Sequence, residues 1–289
     1  MVGIIYDNDV DGALMKELAA LGQVHDDAID PAATALLFAA LDHPGIVLER
    51  YQSHLRALAD DTAACHATLL QEGAEDNAET RLSALRVTLF SDHGYTGDEQ
   101  DYNNLDNADL MRVIDRRRGM PIALAILYIS TARAQGWTAH GLNLPGHFLA
   151  RLDYGPQRVI FDPFYGGKIM NAADIRAQLK TVMGPTAELS ADYYNPADNR
   201  DILIRLQNNR KIRLIEAEDY EGALATVMAL RALAPGEYRL LLDEGVLCAR
   251  TERNQAAIRA LEAYVNKAPD ARDRHDAALL LAEIKQSLN

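Results

Sequence analysis

The sequence predicts an α+β fold: a helical amino-terminal unit, a core with a small antiparallel sheet, and a carboxy-terminal tail of paired α-helices. Three observations carry this expectation. Residues 29–90 place apolar side chains at three- and four-residue spacing. A run apolar on nearly every face, Met120 to Ala134, is followed by strand-like segments. Beyond residue 200 the sequence repeats with a period of 34 residues.

In the amino-terminal part, PAATALLFAALD and ERYQSHLRALADDTAACHATLL read as helices. Asp30-Pro31 is a start signal and His43-Pro44-Gly45 a break. Residues 91–109, SDHGYTGDEQDYNNLDNAD, lack apolar periodicity and read as a long loop with a role or packing of its own. The run from Met120 to Ala134 carries Ile122, Leu124, Ile126, Leu127, Ile129 and Ala132, so it reads as a central, buried helix. Thr138–Leu144, His147–Asp153 and Gln157–Phe161 come next as strands, the last two joined by Tyr154-Gly155-Pro156 as a turn. Residues 184–200, rich in Gly, Pro and polar side chains, separate this core from the helical tail. The expected organisation is an acidic helical region over 1–90, a core over 91–195 packed with 29–90 as one domain, and repeat helices over 201–289.

In the tail, Tyr220 aligns with Asn254, Ala223 with Ala257, Leu224 with Ile258, Ala234 with Ala268 and Pro235 with Pro269. This is the tetratricopeptide period, in which each helix pair carries a small residue early in its second helix and a proline near its end. Gly245 fits the small position of a first helix, whereas Lys211 at the matching place does not. Residues 272–289 supply one further helix as a cap. About three such repeats are needed for independent stability, so the tail is expected to lean on the core.

Composition excludes several function classes. Hydrophobic residues make up 48% and charged residues 25% of the 289, and no stretch approaches the roughly 20 apolar residues of a membrane span. The amino terminus, MVGIIYDNDVDG, is acidic and lacks the basic and apolar regions of a secretory signal, which points to the cytoplasm. The net charge of -13 is concentrated early: residues 1–90 hold five Lys/Arg against fifteen Asp/Glu. Such a surface repels phosphate backbones and anionic lipid, so neither nucleic acid nor membrane is expected as a partner. Cys65 and Cys248 are too few for a disulfide framework or a cysteine metal site, and both are expected reduced and buried. Asp7, Asp9, Asp11 and Gly12 mimic half of a calcium loop, but Leu18 stands where a bidentate Glu is required. His140 and His147 have no third ligand at metal spacing, and no cofactor or metal is expected.

The strings RRRGMPIAL, LPGHFLARL and VIFDPFYGG, from Arg116 to Gly167, carry the chemistry. Counting from Gly119, Pro121 lies two residues on and Gly136 seventeen on. A glycine, a nucleophilic cysteine and a later glycine at those offsets, then a histidine and an aspartate, are the layout of a transglutaminase-like, papain-like core. This stretch resembles that core, and with the repeat tail residues 30–289 more closely resemble the SirB-type proteins, bacterial chains that join the two parts and are linked to regulation. The resemblance places His147 and Asp162 at the catalytic histidine and aspartate and Pro121 at the nucleophile.

A working thiol at a helix amino terminus is held as thiolate by the helix dipole and an imidazolium. Proline has nothing to ionise, yet suits the first turn of a helix. A turn centred on Gly155 sets His147 close to residue 162 or 163, so His147 and Asp162 read first as a structural pair fixing the hairpin. Action of His147 as general base on water, or on a ligand, is the alternative. Arg116, Arg117 and Arg118 precede the buried helix near its positive end and are candidates for binding an anion. Otherwise one pairs with Asp115 or with an acid of the 98–109 loop while the others face solvent. The expected function is that of a pseudoenzyme, a non-catalytic module binding a protein or peptide. The alternative is a hydrolase or transferase using His147 and Asp162 without a cysteine.

Overall fold

The structure, a computed structural model, describes residues 10–287. Its elements run in the order α1 (Val10–Leu21), α2 (Pro31–Asp42), α3 (Leu48–Gln71), α4 (Ala78–Leu85), β1 (Thr96–Gly97), α5 (Leu110–Arg116), β2 (Arg118–Gly119), α6 (Pro121–Ala134), β3 (Thr138–Leu144), β4 (His147–Tyr154), β5 (Gln157–Asp162), β6 (Lys168–Ile169), α7 (Ala172–Met183), β7 (Pro196–Ala197) and α8 (Asn199–Glu216). Four further helices complete the chain: α9 (Tyr220–Leu233), α10 (Arg239–Arg250), α11 (Asn254–Lys267) and α12 (Ala271–Ser287). The α+β fold read from the sequence is present. Two compact units divide the chain: Asp26–Leu206, and the described part of residues 1–25 together with 207–287.

In the first unit, α6 is the central element. Met120 ahead of it is extended, and Pro121 takes the first turn with its missing N–H at no cost. From Pro121 to Ile129 every side chain is buried. The strands form one antiparallel sheet in the order β6-β5-β4-β3-β7. On one face Phe148, Ala150 and Phe161 meet α6, with the rings of Tyr128 and Phe161 5.6 Å apart. On the other, Leu142, Leu144 and Leu149 pack with Ile175 and Leu179 of α7. Alternation along each strand sends successive side chains to these two layers, which is why Phe148 to Leu152 of β4 are all buried, Arg151 among them with its charge paired to Asp153. Helices α2, α3 and α4 cover the far side of α6. Asp30 starts α2 by accepting from the Ala32 and Ala33 N–H groups, as its place before Pro31 suggests.

Three local expectations are corrected. Residues 184–200 are no plain separator, because Pro196–Ala197 adds β7 to the sheet edge beside β3. The 91–109 loop contributes β1, which pairs in parallel with β2. Cys65 is half-buried, since it stands on a partly solvated face of α3; Cys248 is buried, and both are free.

In the second unit α9 to α12 stack in sequence, and α1 packs on α9. The 34-residue period reappears in the backbone: Glu218 and Glu252 both turn left-handed, at φ 59° and 60°. The N–H groups of Ala234 and Ala268 close their helices on Leu230 and Tyr264. Gly245 lies so close to Leu261 that a Cβ would come within 2.6 Å of its side chain, the reason a small residue is needed there. Lys211, which breaks the pattern, stays mostly covered with Nζ 2.6 Å from Asp243.

Candidate functional site

The hairpin β4–β5 turns through Gly155 and Pro156, pairing Tyr154 with Gln157 and Ala150 with Phe161. Extending that register sets Leu149 opposite Asp162 and makes His147 its diagonal neighbour on the same face. The side chains meet: His147 Nε2 lies 2.8 Å from Asp162 Oδ2. Asp162 is fully buried, and its Oδ1 accepts from the Phe164 N–H at 3.0 Å. With Asp162 as acceptor, the neutral imidazole carries its proton on Nε2 and its lone pair on Nδ1. Among the described residues Nδ1 has no protein partner, and the side chain is 11% exposed. Arg205 of α8 steadies the strand ends by donating to the carbonyls of Leu144 at 3.1 Å and His147 at 2.7 Å, its guanidinium 5.3 Å from the Phe148 ring centre.

Pro121 is buried at the first turn of α6 and offers no group that could attack a substrate. Chemically, the pair can orient an imidazole, accept a proton or a hydrogen bond at Nδ1, and stabilise the imidazolium that results.

The three arginines go to different places. Arg116 donates to Asp98 at 2.7 Å and to Asn107 at 3.1 Å. Burial pushes the Asp98 carboxyl up, but the Asp101 N–H, Arg116 and Asn107 outweigh it and hold it below the usual range. Arg117 ends α5 in the left-handed region at φ 58°, donates to His54 Nε2 at 2.6 Å and to the Tyr95 hydroxyl, and lies over the Tyr95 ring. Burial, then Arg117 and His93, push His54 down to about 4. Arg118 is exposed on β2. Among the described residues no three His, Cys, Asp or Glu side chains are grouped to hold a metal; Asp7 and Asp9 of the calcium-like string lie outside them. No described helix is long and apolar enough to cross a membrane.

Sequence reasoning missed two features of the neighbourhood. Residues 86–92 continue α4 as a π-helical turn, and Phe90 on it is 44% exposed. Phe164 and Tyr165, within the DPFYGG string, form a T-shaped pair at 5.1 Å, with Tyr102 5.9 Å and His147 6.2 Å from Phe164. The aromatics were visible in the sequence, but nothing in it told the buried ones from the exposed.

Residues 49–208 match the model of the transglutaminase-like superfamily, and residues 211–282 match a tetratricopeptide repeat family. A UPF0162 protein of Xylella fastidiosa strain Temecula1 is 28% identical over 254 residues, covering 86% of this chain and 88% of its own. Protein SirB1 of Salmonella typhimurium is 24% identical over 200 residues, covering 66% and 71%. UPF0162 protein YchA of Escherichia coli K12 matches at 24% over 200 residues, with the same coverage. A crystal structure of menin, described as revealing the binding site for Mixed Lineage Leukemia protein, covers 91% of this chain and 67% of its own at 10% identity; its TM-score of 0.36 supports no argument. With more than half of its length under the first family model, a repeat tail behind it and SirB1 among its relatives, the chain belongs to the transglutaminase-like superfamily, in the SirB-type family.

Proposed function

We propose that this chain is a non-catalytic transglutaminase-like protein that binds a protein or peptide segment in a regulatory role. The observation that carries this reading is Pro121, which gives the nucleophile position to helix initiation. Tetratricopeptide helices present surfaces suited to peptide segments. Ile212 and Met228, each 50% exposed, are apolar positions available on those helices.

The test has two arms on the full-length chain. Turnover of amide, ester and peptide substrates is expected to stay at the blank rate and to be the same for His147→Ala. Capture of a partner from lysate is expected to be saturable and to weaken on Met228→Asp. Turnover that depends on His147, or the lack of any saturable partner, overturns the reading.

One observation favours the alternative of a hydrolase or transferase. His147 Nδ1 is the lone-pair nitrogen of an oriented imidazole, placed to act as general base on water. A bell-shaped or rising pH–rate profile abolished by His147→Ala would establish that activity.

A further inference from the structure

We propose that the aromatic surface beside the His147–Asp162 pair receives the cationic side chain of a lysine or arginine on the partner segment. This inference rests on the binding reading above and names the chemistry that its partner must carry. Phe164 is buried and forms the base, while Tyr102 at 41% exposure and Tyr165 at 52% stand in T-shaped contact with it. Phe90, 44% exposed, stands close to Gly166, where an added Cβ would come 2.7 Å from its ring and where φ is 61°. A π-helical turn sets Phe90 there, and such turns are frequent at functional sites. Grouped exposed aromatics mark binding surfaces, and their faces carry the negative end of the ring quadrupole.

The charge around the surface selects a cation. Glu99 and Asp101 are exposed in the loop that carries Tyr102, and Glu99 has no ion-pair partner among the described residues. Burial, then the negative charge of Glu99 and Asp162, raises the Tyr165 hydroxyl, which places Glu99 in electrostatic reach of that ring. Of the neighbouring guanidinium groups, Arg86 donates to the Gly166 carbonyl at 3.2 Å, whereas Arg205 donates to those of Leu144 and His147 and also lies within electrostatic reach of Tyr102. Arg205, and Lys168 exposed on β6, are opposing charges. In the neutral imidazole, with Nε2 donating to Asp162, His147 Nδ1 adds a hydrogen-bond acceptor. Aromatic faces, an unpaired carboxylate and a lone pair favour an ammonium or guanidinium over an anion or a plain alkyl group.

The experiment is fluorescence anisotropy on the full-length chain. Its probes are short flexible peptides bearing lysine or arginine, with norleucine, acetyl-lysine and glutamate versions of the same peptide. The lysine and arginine peptides are expected to bind about tenfold more tightly than the neutral versions, and the glutamate peptide not at all. Tyr165→Ala and Glu99→Gln are each expected to weaken the cationic peptides about three- to tenfold with an unchanged melting temperature, since both side chains are exposed. Equal binding of the norleucine peptide, preference for glutamate, indifference to both substitutions, or no binding of any probe overturns the proposal. The two ideas fail separately. Lysate capture that survives Tyr165→Ala and Glu99→Gln removes the cation site alone, whereas absence of any captured partner removes the broader reading.

Discussion

Asp162 does structural work whatever the chemistry of the site. It is fully buried, and its loss strands both the Phe164 N–H and the His147 ring. Asp162→Ala is therefore expected to cost about 2–3 kcal/mol in urea unfolding, with Asp162→Asn costing less because one oxygen remains to accept. His54 sets a pH dependence. Its folded pKa is depressed, to about 4 from an ordinary 6.5, by burial first and then by Arg117 and His93. The unfolded chain therefore binds the proton first as pH falls, and the stability tied to neutral His54 is present above about 6.5 and lost toward 4. His43 has the opposite sign: its hydrogen bond with Asp109 raises it, so its contribution is present at low pH and fades above the ordinary value. Denaturant unfolding across pH 4 to 6.5 is expected to show a shallower slope for His54→Gln than for wild type. Among single residues His147 and Asp162 were legible, because a two-residue turn and strand alternation constrain which side chains meet. The separate fates of Arg116, Arg117 and Arg118 were not, because each is decided by a partner distant in sequence: Asp98, His54 or solvent.

Among elements, the helix α6 and the strands β3 to β5 were legible to within a residue at each end, since buried runs and a Gly-Pro turn mark them directly. The π-helical turn at 86–92, the β1–β2 pair and β7 were not. The π-helical turn closes on its own segment, the His93 N–H donating to the Thr88 carbonyl, and no residue pattern marks it. The short strands depend on a neighbour that supplies their hydrogen bonds; the Thr96 N–H, for instance, donates to the Arg117 carbonyl at 3.1 Å. The contact of α1 with α9 is of the same kind. Gly22, just past α1, approaches the end of α9 so closely that a Cβ would meet the Ala232 carbonyl oxygen at 2.3 Å and that of Leu233 at 3.2 Å. Backbone atoms cannot swing aside as a flexible side chain does, so Gly22→Ala is expected to push α1 off α9. The loss should be about 3 kcal/mol, read as reduced hydrogen-exchange protection in α9.

For the whole chain, the fold class, the repeat period, the buried helix, the hairpin and the absence of a thiol at Pro121 are all written in the order of the residues. Short-range rules are enough to read them: periodicity, turn chemistry and residue identity at counted offsets. Tertiary packing alone settles that α1 joins the carboxy-terminal helices, that residues 196 and 197 edge the sheet, that Tyr102 and Tyr165 stay exposed around Phe164, and that Phe90 stays exposed beside Gly166. An aromatic side chain gains as much by entering a core as by meeting a partner, and only the packing around it determines which surface is left to water.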